Sequence, residues 1–528
     1  MKRLQVWLPL LFALVMIVGM IIGFRLRKNI RSDSNFFGFS KETPLQEVLD
    51  IINRNYVDAV NTDTLGNDAI QEMLTHLDPH SVYIPASILK EVNEDLEGNF
   101  QGIGVEFQII KDTVHVVNVL PKGPSDEAGL KIGDRFLQVE DSVVAGTNIT
   151  TEKIKKLLRG PGGSKVNVKM LRGKQVQPFT IKRGTIPIPS LDASYMIDPS
   201  TGYIRLNKFA ETTYEEFMAA LEALQKQRLQ QLILDLRGNG GGILQEAVQI
   251  ADEFLDGSKL IVYTQGNKTD KEVYESKREG LFEKGKLVIL IDEGSASASE
   301  VVAGAVQDWD RGTIIGRRSF GKGLVQQQYE LSDGSGLRLT VSRYYTPLGR
   351  SIQKPYSKSI EEYNDEVIDR FVNGEVLKSD SAKIANGQVY TTKGGRKVYG
   401  GGGIAPDVFV AFDTSFMQKS IADLYNDNAV FIFPYIYYVE HQQELKQYKD
   451  PADFARRFNN WEELWNGLLK LAKNDSLNLG NVNAAEKQYL LYRLRANIAR
   501  QIWRTEGFYE VWNTTDPVVQ RALAELKK

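Results

Sequence analysis

The sequence predicts a mixed α/β protein with a helical N-terminal part, a small β-rich unit, a central α/β layer and a helical C-terminal subdomain. Three observations carry that prediction. Between about 184 and 410, the continuous apolar strands Gln231 to Leu236 and Leu287 to Ile291 alternate with amphipathic stretches, as a largely buried sheet with helices on its faces requires. Around 100 to 183, short alternating segments such as Val105 to Ile109 and Val114 to Val116 are punctuated by Pro121-Lys-Gly-Pro124 and Gly160-Pro-Gly-Gly163, the mark of paired strands and turns. Beyond 410, Trp461, Leu464, Trp465, Leu468 and Leu469, and then Leu491, Leu494, Ile498 and Ile502, each repeat one helical face.

Composition bounds the function. With 528 residues the chain has room for two to four domains of roughly 100 to 200 residues, and 42% apolar with 25% charged residues excludes wholesale disorder. Sixty-five Lys plus Arg against 67 Asp plus Glu leave a formal charge of −2, so no global basic field exists to hold a nucleic acid. The absence of cysteine removes disulfides, thiolate metal sites and a thiol nucleophile. Four histidines, His76, His80, His115 and His441, leave little room for a His-based triad or a His-rich metal centre, and no metal or organic cofactor is expected. Chemistry therefore falls to Ser, Lys, Asp, Glu and backbone groups.

In chain order, residues 1–31 are expected to form a membrane anchor and its flank. Val6 to Phe24 is nineteen residues without a charge, which as a helix spans about 28 Å, and its exit lacks the small-x-small pattern of a cleaved signal peptide. The flanking charges, Lys2 and Arg3 against Arg25, Arg27, Lys28 and Arg31, do not orient it. Residues 32–99 read as a helical module: Leu45, Val48, Leu49 and Ile52 fall at i, i+3, i+4 and i+7, and a second run from Leu65 to Leu77 ends at Asp78-Pro79. In 100–183 a helix from Ser125 to Leu130, a strand from Arg135 to Val139, a helix from Thr151 to Leu158 and a strand from Lys165 to Leu171 follow the first hairpin. The region 184–410 supplies strand Gly202 to Leu206, helix Thr213 to Gln227, the two buried strands, a helix after Gly242 and strand Thr313 to Gly316. Residues 411–528 make the helical subdomain, whose Trp and Tyr side chains are expected in its core and on a docking surface.

The chemistry concentrates in three windows. In Asp292-Glu-Gly-Ser295-Ala-Ser297-Ala-Ser299-Glu300 a buried strand turns into a helix of small residues. Such an elbow exposes a hydroxyl and aims free helix N–H groups at one point, while serines at a helix start also serve as plain caps; the window alone allows both. A serine nucleophile needs a base, and Lys322 in Gly321-Lys322-Gly323 suits that role where desolvation holds it neutral. The third window, Asp235-Leu-Arg237-Gly-Asn239-Gly-Gly241-Gly242, opens a buried strand into a glycine loop whose N–H groups can approach a ligand. Its spacing is not that of a dinucleotide-binding turn.

Taken in order, these windows together with Asp78-Pro79-His80-Ser81, Gln101-Gly102-Ile103-Gly104-Val105, Gln326 and Gly402-Gly403-Ile404-Ala405-Pro406-Asp407 resemble the carboxyl-terminal processing, or tail-specific, proteases over about residues 45 to 410. The resemblance implies a serine endopeptidase with an α/β protease core, Ser297 as nucleophile, Lys322 as general base, Gln326 orienting the lysine, and Glu300 and Asp308 as associated acidic positions. Asp308 lies three helical turns after Ser297, so the two can share a face. Ala298 N–H with a glycine N–H from Gly241-Gly242 would form the oxyanion hole. The β-rich unit resembles a PDZ domain, in which Gly102, Ile103 and Gly104 would hold a terminal carboxylate and the substrate tail would add to the strand that starts at Val105. An apolar pocket including Ile103 and Val105 would take the last side chain. Expected partners are proteins with free apolar C-terminal tails, the membrane through the N-terminal helix, and a second copy or an adaptor through 411–528. The resemblance puts the catalytic part on the periplasmic side of an inner membrane. Two rival functions stay open on sequence: a catalytically silent PDZ scaffold, and a hydrolase of small esters or lipids.

Overall fold

The computed structural model describes Met16 and residues 43–528 without 357–358, 379–386, 415–418 and 475–476. The anchor expected over Val6 to Phe24 lies, but for Met16, outside the described residues. Among the described residues no helix is long and apolar enough to cross a membrane.

The chain divides into two compact units, 1–73 and 74–528. In the first, the helix Pro44–Asn55 buries no side chain, and the helix Thr62–Thr75 begins. The boundary between the units falls at 73/74, within the module expected over 32–99. In the second unit the strand Val82–Ile84 pairs with Gly336–Tyr345, and the helix Ala86–Glu97 buries Leu89.

The β-rich unit is an antiparallel sheet in the order Val105–Ile110, Thr113–Val119, Arg135–Val139, Lys165–Arg172, Gln175–Lys182. Alternate residues Val166, Val168 and Met170 join Val114, Val116 and Phe136 in a core closed by Ile154 and Leu158 of the helix Thr151–Leu158. That helix starts at Thr150, whose side chain accepts the Lys153 N–H, a cap that satisfies one otherwise orphaned donor. Val105–Ile110 lies at one end of the sheet order, with one edge unpaired among the described residues.

The central sheet has six strands in the order Leu191–Met196, Thr201–Leu206, Gln231–Asp235, Lys286–Ile291, Thr313–Gly316, Val408–Phe409, parallel except for the first pair. Both faces are covered, which is why its strands read as continuous apolar runs. Leu232, Leu234, Leu287, Ile289 and Ile291 face the helices Thr213–Gln225, Leu244–Asp252 and Ala298–Asp308. The alternate residues Ile233, Val288, Leu290 and Ile315 face Val518, Val519, Ala522 and Leu526 of the last helix, Pro517–Leu526. That helix thus departs from the separate subdomain expected over 411–528 and completes the central core. The rest of the segment has its own core, with Phe433, Phe454, Leu464, Leu468, Leu491 and Leu494. A second sheet, in which Gly336–Tyr345 pairs with Val82–Ile84, Leu260–Gln265 and Leu324–Glu330, supplies the opposite wall of the site.

Candidate active site

The strand Lys286–Ile291 delivers the chain to the carboxyl edge of the parallel sheet, where ligand crevices of such sheets lie. Ser295 Oγ donates to Leu236 O at 2.8 Å and Ser299 Oγ to Asn239 O at 2.9 Å. The outer serines are buried ties between the elbow and the glycine loop. Ser297 differs: it lines a cavity of about 550 Å³ with φ +54° and ψ −115°, a conformation that costs a non-glycine residue of order 1–3 kcal/mol. Its N–H donates to Glu300 Oε2 at 2.8 Å. This is the strand-turn-helix geometry that lifts a hydroxyl clear of a sheet.

Lys322 enters the same cavity from the turn before Leu324–Glu330. Its Nζ donates to Gln326 Oε1 at 3.0 Å, and Gln326 Nε2 donates in turn to His80 O. An Asx turn sets that carbonyl: Asp78 Oδ1 accepts the N–H groups of His80 and Ser81 at 2.8 and 2.9 Å, and Thr340 Oγ1 adds a bond at 3.0 Å. Burial first, and then the charge of Arg338, hold the Lys322 ammonium below its ordinary pKa, against the pull of Asp78 and Glu300. Burial together with Lys322 and Lys354 lowers His80 to about 4, with Asp78 opposing, so the imidazole beside Tyr363 Oη is neutral at pH 7.

Glu300 is fully buried and accepts from the N–H groups of Ser297, Gly321 and Lys322 and from Ser319 Oγ. One carboxyl group therefore clamps the elbow to the lysine turn. Burial pushes it up to about 7, the four hydrogen bonds opposing. Tyr344 spans the same two segments, with Oη 3.0 Å from Ser297 O and 2.6 Å from Lys322 O. The sequence carried no sign of this, because a tyrosine in a strand reads as core.

Of the two loop glycines, Gly241 donates its N–H to Asn239 Oδ1 at 2.9 Å, which removes it as an oxyanion donor. The N–H groups of Gly242 and of Ala298, in the first turn of Ala298–Asp308, have no acceptor among the described residues. Both residues line the cavity with Ser297. A Cβ on Gly242 would stand 2.1 Å from Phe209 O, and one on Gly241 2.8 Å from Ser297 Cβ, so neither position admits a side chain.

Asp308 does not join the cluster. It shares a helix with Ser297 but stands about 16 Å along the axis, in a buried pair with Arg350 at 2.5 Å. The expectation for Ile103 also changes: its side chain is 3% exposed and sits in the core of the β-rich unit, with Val105 packed partly against the same core. The turn offers backbone instead. Ile103 O and Gly104 O accept from Ser125 and Leu120, while the N–H groups of Ile103 and Gly104 have no backbone acceptor among the described residues.

Fold and site together put a strand-turn-helix elbow carrying Ser297 in one chain with an antiparallel β unit. The peptidase family S41 model matches residues 200–361, the PDZ domain model 101–182, and a family of unknown function (DUF8443) 421–504. The carboxy-terminal-processing protease of Bartonella bacilliformis is 35% identical over 314 residues, 58% of this chain and 71% of that protein. The carboxy-terminal processing protease CtpB of Bacillus subtilis is 35% identical over 316 residues, 59% of this chain and 65% of that one. The chain belongs to the carboxy-terminal-processing serine protease family and carries a PDZ domain. The solved photosystem II D1 C-terminal processing protease is 29% identical to it, covering 60% of this chain and 85% of that one at a TM-score of 0.33.

Proposed function

We propose that this protein is an endopeptidase that captures free C-terminal tails on its PDZ domain and cleaves them through an acyl-enzyme on Ser297. One observation carries the reading: a strained serine and a desolvated lysine open onto one cavity together with two unfilled N–H groups. Neutral Lys322 Nζ takes the Ser297 hydroxyl proton as Oγ adds to the peptide carbonyl, and the oxyanion develops between the N–H groups of Ala298 and Gly242. The lysine ammonium then protonates the departing amine, the C–N bond breaks, and an ester remains on Oγ. Water, giving its proton to Lys322, adds to that ester, and Oγ leaves with the proton returned. Gln326 and Glu300 hold the lysine turn in place, while the tail carboxylate lies on the N–H groups of Ile103 and Gly104 and the tail pairs with the free edge of Val105–Ile110. A membrane anchor over Val6 to Phe24 and an envelope location facing the periplasm belong to the same proposal.

The test follows cleavage of an unfolded protein with an apolar C-terminal tail, beside its C-terminally amidated twin, by the full chain and its Ser297→Ala and Lys322→Ala variants. Cleavage that needs both side chains and the free carboxylate is the expected result. Tail binding without cleavage by any form would make the chain a PDZ scaffold.

A further inference from the structure

Arg338 lies on Gly336–Tyr345, directly opposite Gln328 in the pairing with Leu324–Glu330, and lines the same cavity as Ser297 and Lys322. Its Nη2 donates to Gln328 Oε1 at 2.9 Å, and Gln328 Nε2 donates to Asn93 Oδ1 at 3.0 Å. The arrangement repeats that of the lysine, where Gln326, two residues earlier on the same strand and so on the same face, holds Lys322 and leans on His80 O. One strand thus presents two side-chain amides to two cations.

Among the described residues the second cation has no counter-ion. Five arginines elsewhere in the core are paired, Arg205 and Arg237 with Asp235, Arg317 with Glu293, Arg350 with Asp308 and Arg370 with Glu366, whereas buried Arg495 is held by Ala455 O and Thr514 Oγ1. Arg338 has no ion pair among the described residues, and no Asp or Glu lines its cavity. Leu96, Leu244, Val301 and Leu324 make much of the remaining wall, a setting that strengthens a charge pair formed inside. With Lys322 working as a neutral base, Arg338 is the standing positive charge on the cavity lining. A guanidinium held by one amide keeps donors free for a bidentate carboxylate.

We infer that Arg338 is a specificity-determining residue that binds a carboxylate of the substrate within the catalytic cavity. The inference rests on the Ser297 protease reading and names part of its substrate chemistry. The carboxylate comes either from an acidic side chain close to the scissile bond or from the free terminus of a short tail.

The test uses the full chain and its Arg338→Gln and Arg338→Lys variants on short fluorogenic peptides. These carry Glu or Gln at successive positions around the cut, each as free acid and as C-terminal amide. The expected result is a preference for the carboxylate of about tenfold in kcat/KM, carried mainly by KM, which falls to about one in Arg338→Gln and is partly restored in Arg338→Lys. A ratio that follows the Glu position marks the side chain as source; one that follows the free acid marks the terminus. Absence of any preference in the native chain, or its persistence in Arg338→Gln, overturns the inference while Ser297-dependent cleavage leaves the protease reading standing. Cleavage independent of Ser297 overturns that reading instead, and the carboxylate preference in binding to the Ser297→Ala protein, read by fluorescence anisotropy with and without Arg338→Gln, then decides Arg338 alone.

Discussion

The glycine turns at 238–242 and 102–104 leave N–H groups without an acceptor among the described residues, and they differ in what holds them. The loop Gly238–Gly242 is tied on every side: Gly238 N–H to Asp292, Gly241 N–H to Asn239, and the hydroxyls of Ser295 and Ser299 to Leu236 O and Asn239 O. The turn Gly102–Gly104 is held by the pairing of Gly102 with Gly184 and by backbone bonds from Ser125 and Leu120, and opens beside a strand edge unpaired among the described residues. Donors meant for a charge that exists only in a transition state must be preorganised, because any motion at that moment costs rate. Donors meant for a flexible tail need an edge that an incoming strand can join.

The sharpest way to break this contrast is to crowd each turn. In Gly242→Ala the new Cβ meets Phe209 O, and kcat is expected to fall about 10²–10³-fold, the usual effect of losing an oxyanion donor, with tail affinity unchanged by anisotropy. Equal losses of kcat and tail affinity would show that the two turns are not independent. In Gly104→Ala, φ of +73° and Cβ contacts near 3.2 Å to Ile186 predict about tenfold weaker tail binding, with kcat on short untethered peptides preserved.

A smaller effect sharpens the electrostatics of the catalytic loop. The proposed mechanism requires neutral Lys322, whose pKa is held below its ordinary value by burial and Arg338, with Asp78 and Glu300 opposing. The pH profile of kcat/KM should therefore rise through that lowered value, and Arg338→Gln should move the rise to higher pH, since a positive neighbour has gone. The smallest effect divides acid sensitivity between the two regions. His80 in the core and His115 in the PDZ domain are each lowered to about 4, chiefly by burial, so the folded chain binds fewer protons than the unfolded one between about 4 and 6.5. Stability is then lost as pH falls through that window. A thermal melt at pH 5 against pH 7 should show a fall of roughly 2–4 °C, and His80→Gln and His115→Gln should each remove part of it.

Much of the fold was legible because it is local. The strands Arg135–Val139 and Thr313–Gly316 and the helix Thr151–Leu158 occur with the bounds that periodicity predicts. The strand Val82–Ile84 has three residues, too few to show alternation, and its pairing with Gly336–Tyr345 bridges distant parts of the chain. Asp308 shows the limit of a face argument: the 3.6-residue period aligns it with Ser297, and the length of the helix separates them. Within the site, the pairing of Lys322 with Gln326 was legible only through the family resemblance. The support of Gln326 by His80, 246 residues away, the tie made by Tyr344 and the unpaired charge of Arg338 leave no local trace.

By itself the sequence determined the longer, periodic helices and strands and where the backbone demands glycine, since each follows from periodicity or from the allowed φ and ψ of a few neighbouring residues. Only the tertiary structure decided that Ser295 and Ser299 are buried ties, which of two glycines keeps a free N–H, and that Lys322 is desolvated. Those properties belong to no residue alone. They depend on how much water is excluded and on which partners arrive from remote segments.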